Sequence, residues 1–273
     1  GLVDHYFTSN QGSNELYLNK GNNKFENITK KAGVAGKSDW STGTVMADVN
    51  GDGLLDIYVC AVVGINGFEG HNELFINNGD LTFTESAAKY GLDLDNYSSS
   101  ATFFDFDLDG DLDMYLLNHS LRYNSTFNAR PSYFNTLDSL SGDRFYRNLN
   151  GKFINETKEV GINSSVIGYG LGIVVSDINM DGYPDLYIGN DFHENDYLYI
   201  NQRNGTFKDE LEERIQHTSL SSMGADMQDI NNDGSPDIFT TDMLPGDDYR
   251  LRANSSFESY DVFQLKLKQG FYN

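Results

Sequence analysis

Four short stretches of the chain carry carboxylates at spacings suited to metal chemistry. They place Asp48, Asn50, Asp52 and Asp56; Asp105, Asp107, Asp109 and Asp113; Asp177, Asn179, Asp181 and Asp185; and Asp229, Asn231, Asp233 and Asp237 at positions 1, 3, 5 and 9 of one pattern. Position 6 is Gly53, Gly110, Gly182 or Gly234. Alternating oxygen donors, a turn-making glycine, a carbonyl and a closing carboxylate are how a short loop wraps a hard cation such as Ca²⁺. The loops contain no His or Cys, and an all-oxygen donor set suits Ca²⁺, Mg²⁺ or Mn²⁺. A flexible loop with several carboxylates favours Ca²⁺, about one ion per loop. Asp, Asn and Gly also favour plain acidic turns, but four copies in one register point to the metal.

The elements around these loops are strands. An EF-hand would need a bidentate Glu at position 12 between two helices, and that position holds Val59, Leu116, Ile188 or Thr240. The residues after each loop (56–62, 113–117, 185–189, 237–241) are β-rich apolar runs, and small or apolar residues precede it (44–47, 101–104, 171–175, 224–227). A second motif recurs at 16–29, 74–85, 145–157 and 198–209: an aromatic-aliphatic run ending in Asn, an Asn/Gly turn, then Phe. That reads as a β-hairpin.

One unit is therefore four antiparallel strands with the acidic loop between the first two. Repetition of such units predicts an all-β fold, a β-propeller, with a linear stack as the alternative. The repeats fall at about 1–29 (partial), 41–87, 99–158, 170–211 and 222–273, the last incomplete with an insertion at 244–273 and a short helix around 257–267. Gly1 to Asp4 read as positions 6 to 9 of a further loop, so the expectation is an arc of a larger propeller forming one repeat region.

Composition narrows the function classes. The formal charge is −22 with no basic stripe, which argues against nucleic acid as a partner. Four divalent ions would cancel about a third of that charge. The single cysteine, Cys60, sits in an apolar strand and reads as a small buried hydrophobe, so no disulfide framework exists. Loops of this kind suit millimolar extracellular calcium, with affinities of about 10⁻⁴–10⁻³ M. No apolar run approaches a membrane helix and no signal peptide is visible, so export is inferred and membrane association needs an anchor or partner outside this sequence.

The loops followed by Ile, Leu or Met and then Tyr or Phe, with the stretches 190–199, 198–207, 241–245 and 260–267, resemble the FG-GAP/VCBS repeats of integrin-α-like propellers. Within that family the chain is similar to the cartilage acidic protein / ASPIC-UnbV group of Bacteroidetes surface lipoproteins. The resemblance implies a calcium-stabilised, secreted or outer-membrane-surface propeller without catalysis. It also implies association with a TonB-dependent transporter and its surface lid lipoprotein in nutrient uptake.

Binding function is expected on the connections from second to third strand, opposite the acidic loops. The 118–143 connection holds His119, Arg122, Tyr123, Phe127, Arg130, Tyr133 and Phe134, which suit a protein or glycan contact or cap their own loop. Asp191, His193, Glu194 and Asp196 cluster after the third repeat's second strand; a second metal site or an acid/base pair is one reading, a solvated loop the commoner one. The leading expectation is a non-enzymatic, calcium-binding interaction subunit. The alternatives are a calcium-dependent polysaccharide lyase, which needs cations converging on a uronate, and a lectin-like glycan binder.

Overall fold

A computed structural model describes residues 2–121, 129–133, 136–192, 194–219, 221–243, 246–250 and 260–271. It is all-β apart from short helical turns, and the strands form antiparallel sheets of consecutive elements. The first sheet has β1 (His5–Phe7), β2 (Glu15–Asn19) and β3 (Phe25–Asn27). The second has β4 (Ser41–Ala47), β5 (Asp56–Ala61), β6 (Glu73–Asn77) and β7 (Phe83–Glu85), and the third β8 (Ser98–Phe104), β9 (Asp113–Asn118), β10 (Arg144–Asn148) and β11 (Phe153–Asn155). The fourth has β12 (Gly170–Ser176), β13 (Asp185–Asn190), β14 (Tyr197–Asn201) and β15 (Phe207–Asp209). β16 (Gly224–Gln228) and β17 (Asp237–Thr241) pair alone. Each full sheet is the four-stranded meander the repeats predict, and each acidic loop joins its first two strands.

Three four-residue helical turns, α1 (Thr29–Ala32), α2 (Ala87–Tyr90) and α3 (Leu211–Arg214), follow the last strands of the first, second and fourth sheets, and α4 (Tyr260–Lys268) lies near the end. α4 overlaps the helix expected around 257–267; residues 244, 245 and 251–259 of that insertion lie outside the described residues. The turns are too short to leave a helical period in sequence.

The chain divides into two compact units, residues 1–118 with 144–156, and residues 119–143 with 157–273. In the first, β5 is buried along its whole length because it serves two cores. Alternate side chains point to opposite faces of a strand. Ile57 and Val59 pack with Tyr6, Leu16, Val34 and Phe75, while Tyr58 and Cys60 pack with Leu74, Met114, Leu116 and Tyr146. Cys60 is buried as expected. In the second unit Tyr187, Leu198, Ile200, Leu211 and Met227 form the corresponding core.

The first strands of neighbouring sheets lie backbone to backbone, which explains their small residues. A Cβ at Gly43 of β4 would stand 2.4 Å from the Ser99 carbonyl oxygen of β8. In the second unit, one at Gly172 of β12 would stand 2.7 Å from the Ala225 nitrogen of β16. Within the first unit Thr8 Oγ1 donates to the Thr42 carbonyl and Thr42 Oγ1 to the Ser98 carbonyl, both at 2.6 Å.

Candidate functional site

Each acidic loop folds around its own carboxylates. In the first, Asp48 accepts the backbone N–H groups of Asp52 (3.0 Å) and Gly53 (2.8 Å), and Asp52 accepts that of Leu54 (2.9 Å). Asn50 Nδ2 donates to Asp52 Oδ2 at 2.9 Å. The loops at 177–185 and 229–237 repeat this: Gly182 and Gly234 donate to Asp177 and Asp229, and Asn179 and Asn231 donate to Asp181 and Asp233 at 3.0 Å. The backbone is left-handed at position 6, as the glycines require, and also at position 4, which is Gly51, Leu108, Met180 or Asn232. The position-4 requirement is hidden in sequence because Leu and Met occupy it twice.

The loop at 105–113 departs from the others. Position 3 is Asp107, which cannot donate to Asp109 as an asparagine would. Oxygens of Asp105, Asp107 and Asp109 lie within 4.8 Å of one another. Asp107 Oδ1 and Asp111 Oδ1 are buried with no hydrogen-bond partner among the described residues. Arg147 answers part of this charge: Nη1 pairs with Asp107 Oδ2, Nε with Glu156 Oε2 at 2.7 Å, and the guanidinium lies 5.1 Å over the Phe106 ring. Burial, with Asp109, Asp107 and Asp105 adding repulsion, raises the Asp111 carboxyl. Three converging carboxylates, one with an orphaned oxygen and a fourth acid beside them, fit a hard divalent cation in both donor type and charge.

Position 9 does more than face the loop centre. Asp56, Asp113 and Asp185 each accept the N–H of position 2 (Val49, Phe106, Ile178) on one oxygen and an N–H from the third strand (Asn77, Asn148, Asn201) on the other. Those asparagines close the clamp. Their side-chain oxygens accept from Gly79, Gly151 and Arg203, and their Nδ2 atoms donate to the carbonyls of Leu55, Leu112 and Pro184. Asp4 accepts Asn19 N–H at 2.7 Å in the same way, matching its reading as a position-9 residue. Each oxygen keeps a second lone pair that a cation can use. Burial pushes the Asp113 carboxyl up to about 7 and the Asp185 carboxyl up to about 6. The sequence signal for the clamp was the asparagine ending every third strand. Among the described residues Asp237 makes only the first of these contacts, to Ile230 N–H.

The other nominated clusters turn inward. Asp191, Glu194 and Asp196 are buried, which corrects the solvated-loop reading. Glu194 pairs with Arg130 at 2.9 Å and accepts Tyr197 Oη; Asp196 accepts the Tyr187 hydroxyl and Asn190 N–H. Each carboxylate has its own protein partner instead of a shared centre. His119 packs edge-on to Tyr169, and Tyr133 packs against the Val166–Ile167–Tyr169–Phe271 cluster, so these residues of the 118–143 connection cap their own unit. Arg122, Tyr123, Phe127, Phe134 and His193 lie outside the described residues.

Comparison with known proteins agrees with the repeat geometry. No curated protein sequence matches the chain. Among solved structures, a lectin from Agrocybe aegerita, described by its recognition of non-reducing terminal N-acetylglucosamine, aligns at 16% identity with a TM-score of 0.35, over 87% of this chain and 74% of that one. The profile of the FG-GAP-like repeat matches residues 1–59, 61–116 and 177–240, more than half of the sequence, and its segments carry all four acidic loops. The chain belongs to the FG-GAP-like repeat family.

Proposed function

We propose that this protein is a non-enzymatic β-propeller segment whose four acidic loops hold Ca²⁺, and that it serves as an extracellular or outer-membrane-surface binding subunit. The observation that carries the calcium reading is the loop at 105–113. Oxygens of Asp105, Asp107 and Asp109 converge within 4.8 Å, and buried oxygens of Asp107 and of the neighbouring Asp111 lack a hydrogen-bond partner among the described residues. The ion would be held by Asp48, Asn50, Asp52 and Asp56 and by the matching positions of the other loops. Bound calcium supplies charge compensation that locks first and second strands together. Because Asp56, Asp113 and Asp185 are also clamped to the third strand, that rigidity reaches most of each sheet.

The non-enzymatic reading is supported by the use of the arginines. Arg130 is committed to Glu194 and Arg147 to Asp107 and Glu156, which leaves neither to neutralise a uronate substrate. Membership of the cartilage acidic protein / ASPIC-UnbV group, and partnership with a TonB-dependent transporter and its surface lipoprotein, extend the proposal to its cellular setting. Thermal melts test the core of it. With free calcium at about 100 times the dissociation constant, each site contributes about 2.7 kcal/mol. Excess chelator should therefore lower the melting temperature strongly, and elemental analysis should return close to four calcium ions per chain. A melt unchanged by chelator would sink the proposal.

A further inference from the structure

The first unit contains a cavity of about 700 Å³ at the end of its sheets opposite the acidic loops. It is built by the β1–β2 connection, the segment entering β4, and the β5–β6 connection, and its lining includes Asn10, Gln11, Ser13, Lys37, Trp40 and Phe68. This volume lies within the range of small-molecule sites, about 300–1,000 Å³.

Trp40 is the only tryptophan in the chain. Its ring lies 5.1 Å from that of Phe68 at 40°, and both are half-buried. The backbone that carries the pair is held in place before any ligand arrives. Val62 N–H donates to the Trp40 carbonyl (3.0 Å), Asp39 and Glu69 pair through their backbones (3.1 Å), and Glu69 N–H also donates to the Asp39 carboxylate (2.8 Å). Ser38 Oγ bonds the backbone of His71 in both directions. Around this platform the side chains of Asn10, Gln11 and Ser13 are exposed and make no hydrogen bond among the described residues.

We infer that this groove binds a neutral or N-acetylated saccharide. The argument rests on the reading of the chain as a binding subunit and gives that subunit a ligand class and an address. A rigid aromatic pair offers an apolar face to the C–H face of a pyranose. Amides and hydroxyls both donate and accept, so they match sugar hydroxyls of either orientation. The one lysine is balanced by Asp39, which leaves no cationic cluster for a phosphate, sulfate or uronate.

The test is an immobilised array of neutral, N-acetylated and uronic oligosaccharides, probed with the calcium-loaded chain. Saturable binding to neutral or N-acetylated members is expected, and titration of the best-bound oligosaccharide should shift the emission of Trp40. Trp40→Ala should weaken binding at least tenfold, and the exposed-residue variant Asn10→Ala/Gln11→Ala several-fold with an unchanged melt. A silent array, binding confined to uronic members, or full binding by the double variant together with a correctly folded Trp40→Ala protein would overturn the inference. A silent array beside an intact chelator-dependent melting shift removes this site alone and leaves the calcium proposal standing.

Discussion

The loops at 48–56 and 105–113 turn through the same left-handed positions, yet they settle their acids differently. In the first, Asn50 is neutral and donates to Asp52, so the loop satisfies itself with one hydrogen bond across its mouth. In the second, Asp107 adds a charge and removes that donor, and Arg147 reaches in from β10 to pair with it. Arg147 stands where β2, β6 and β14 carry Leu18, Ile76 and Ile200. The two departures occur in one repeat and compensate one another. An asparagine at position 3 makes a loop that keeps its shape without help; an aspartate makes one that draws a cation harder and needs a protein counter-charge to hold its shape meanwhile.

The largest expected effect lies in what the two loops share. Asp56→Ala and Asp113→Ala each strip the acceptor from two buried N–H groups, at about 1–3 kcal/mol per group. Both should lose about 2–5 kcal/mol in chelator-treated melts, and markedly unequal losses would break the claim of a common clamp. Arg147→Ala separates the loops next. It should destabilise the metal-free protein by about 1–3 kcal/mol and tighten calcium at 105–113 by about tenfold, since the competing cation is gone. Calorimetry showing weaker calcium binding would reverse the role given to Arg147.

A smaller difference should appear with pH. Burial raises Asp113 from 3.8 to about 7, so in the metal-free protein its protonated form stabilises the fold. That contribution is whole below pH ~4, the unfolded value, and is lost as pH climbs through about 7. Melting temperature in chelator should fall across that window, and Asp113→Asn should flatten the slope. A wild-type slope unchanged in that variant would place the titration elsewhere. The smallest effect concerns the backbone: Leu108 is left-handed at φ 62 where the first loop has Gly51. Leu108→Gly should gain up to about 1 kcal/mol in a denaturant series, whereas Gly51→Leu should lose a similar amount.

Much of this was legible in the residues themselves. Aspartate spacing gave the loops, Asn-Gly turns gave the hairpins, and the small residues before each loop became the close-packed first strands, with Gly43 and Gly172 at the tightest approaches. The helical turns escaped notice because four residues cannot display a 3.6-residue period. The buried state of Glu194 and Asp196 also escaped, because their partners Arg130, Tyr197 and Tyr187 come from separate elements. The cavity beside Trp40 is assembled from three connections, none of which carries a motif. Longer connections drew the attention of sequence reasoning, and the cavity sits among shorter ones.

The hydroxyl relay from Thr8 through Thr42 to Ser98 has a bearing on how the molecule can be dissected. The residue after β1 leans on β4, and β4 on β8, by a side-chain bond to main chain, and β5 sends alternate side chains into two cores. A lone repeat cut out for study would carry raw flanks on both sides. Deletion variants should therefore lose whole groups of sheets at once, and expression trials that shorten the chain one repeat at a time should pass abruptly from soluble to insoluble material.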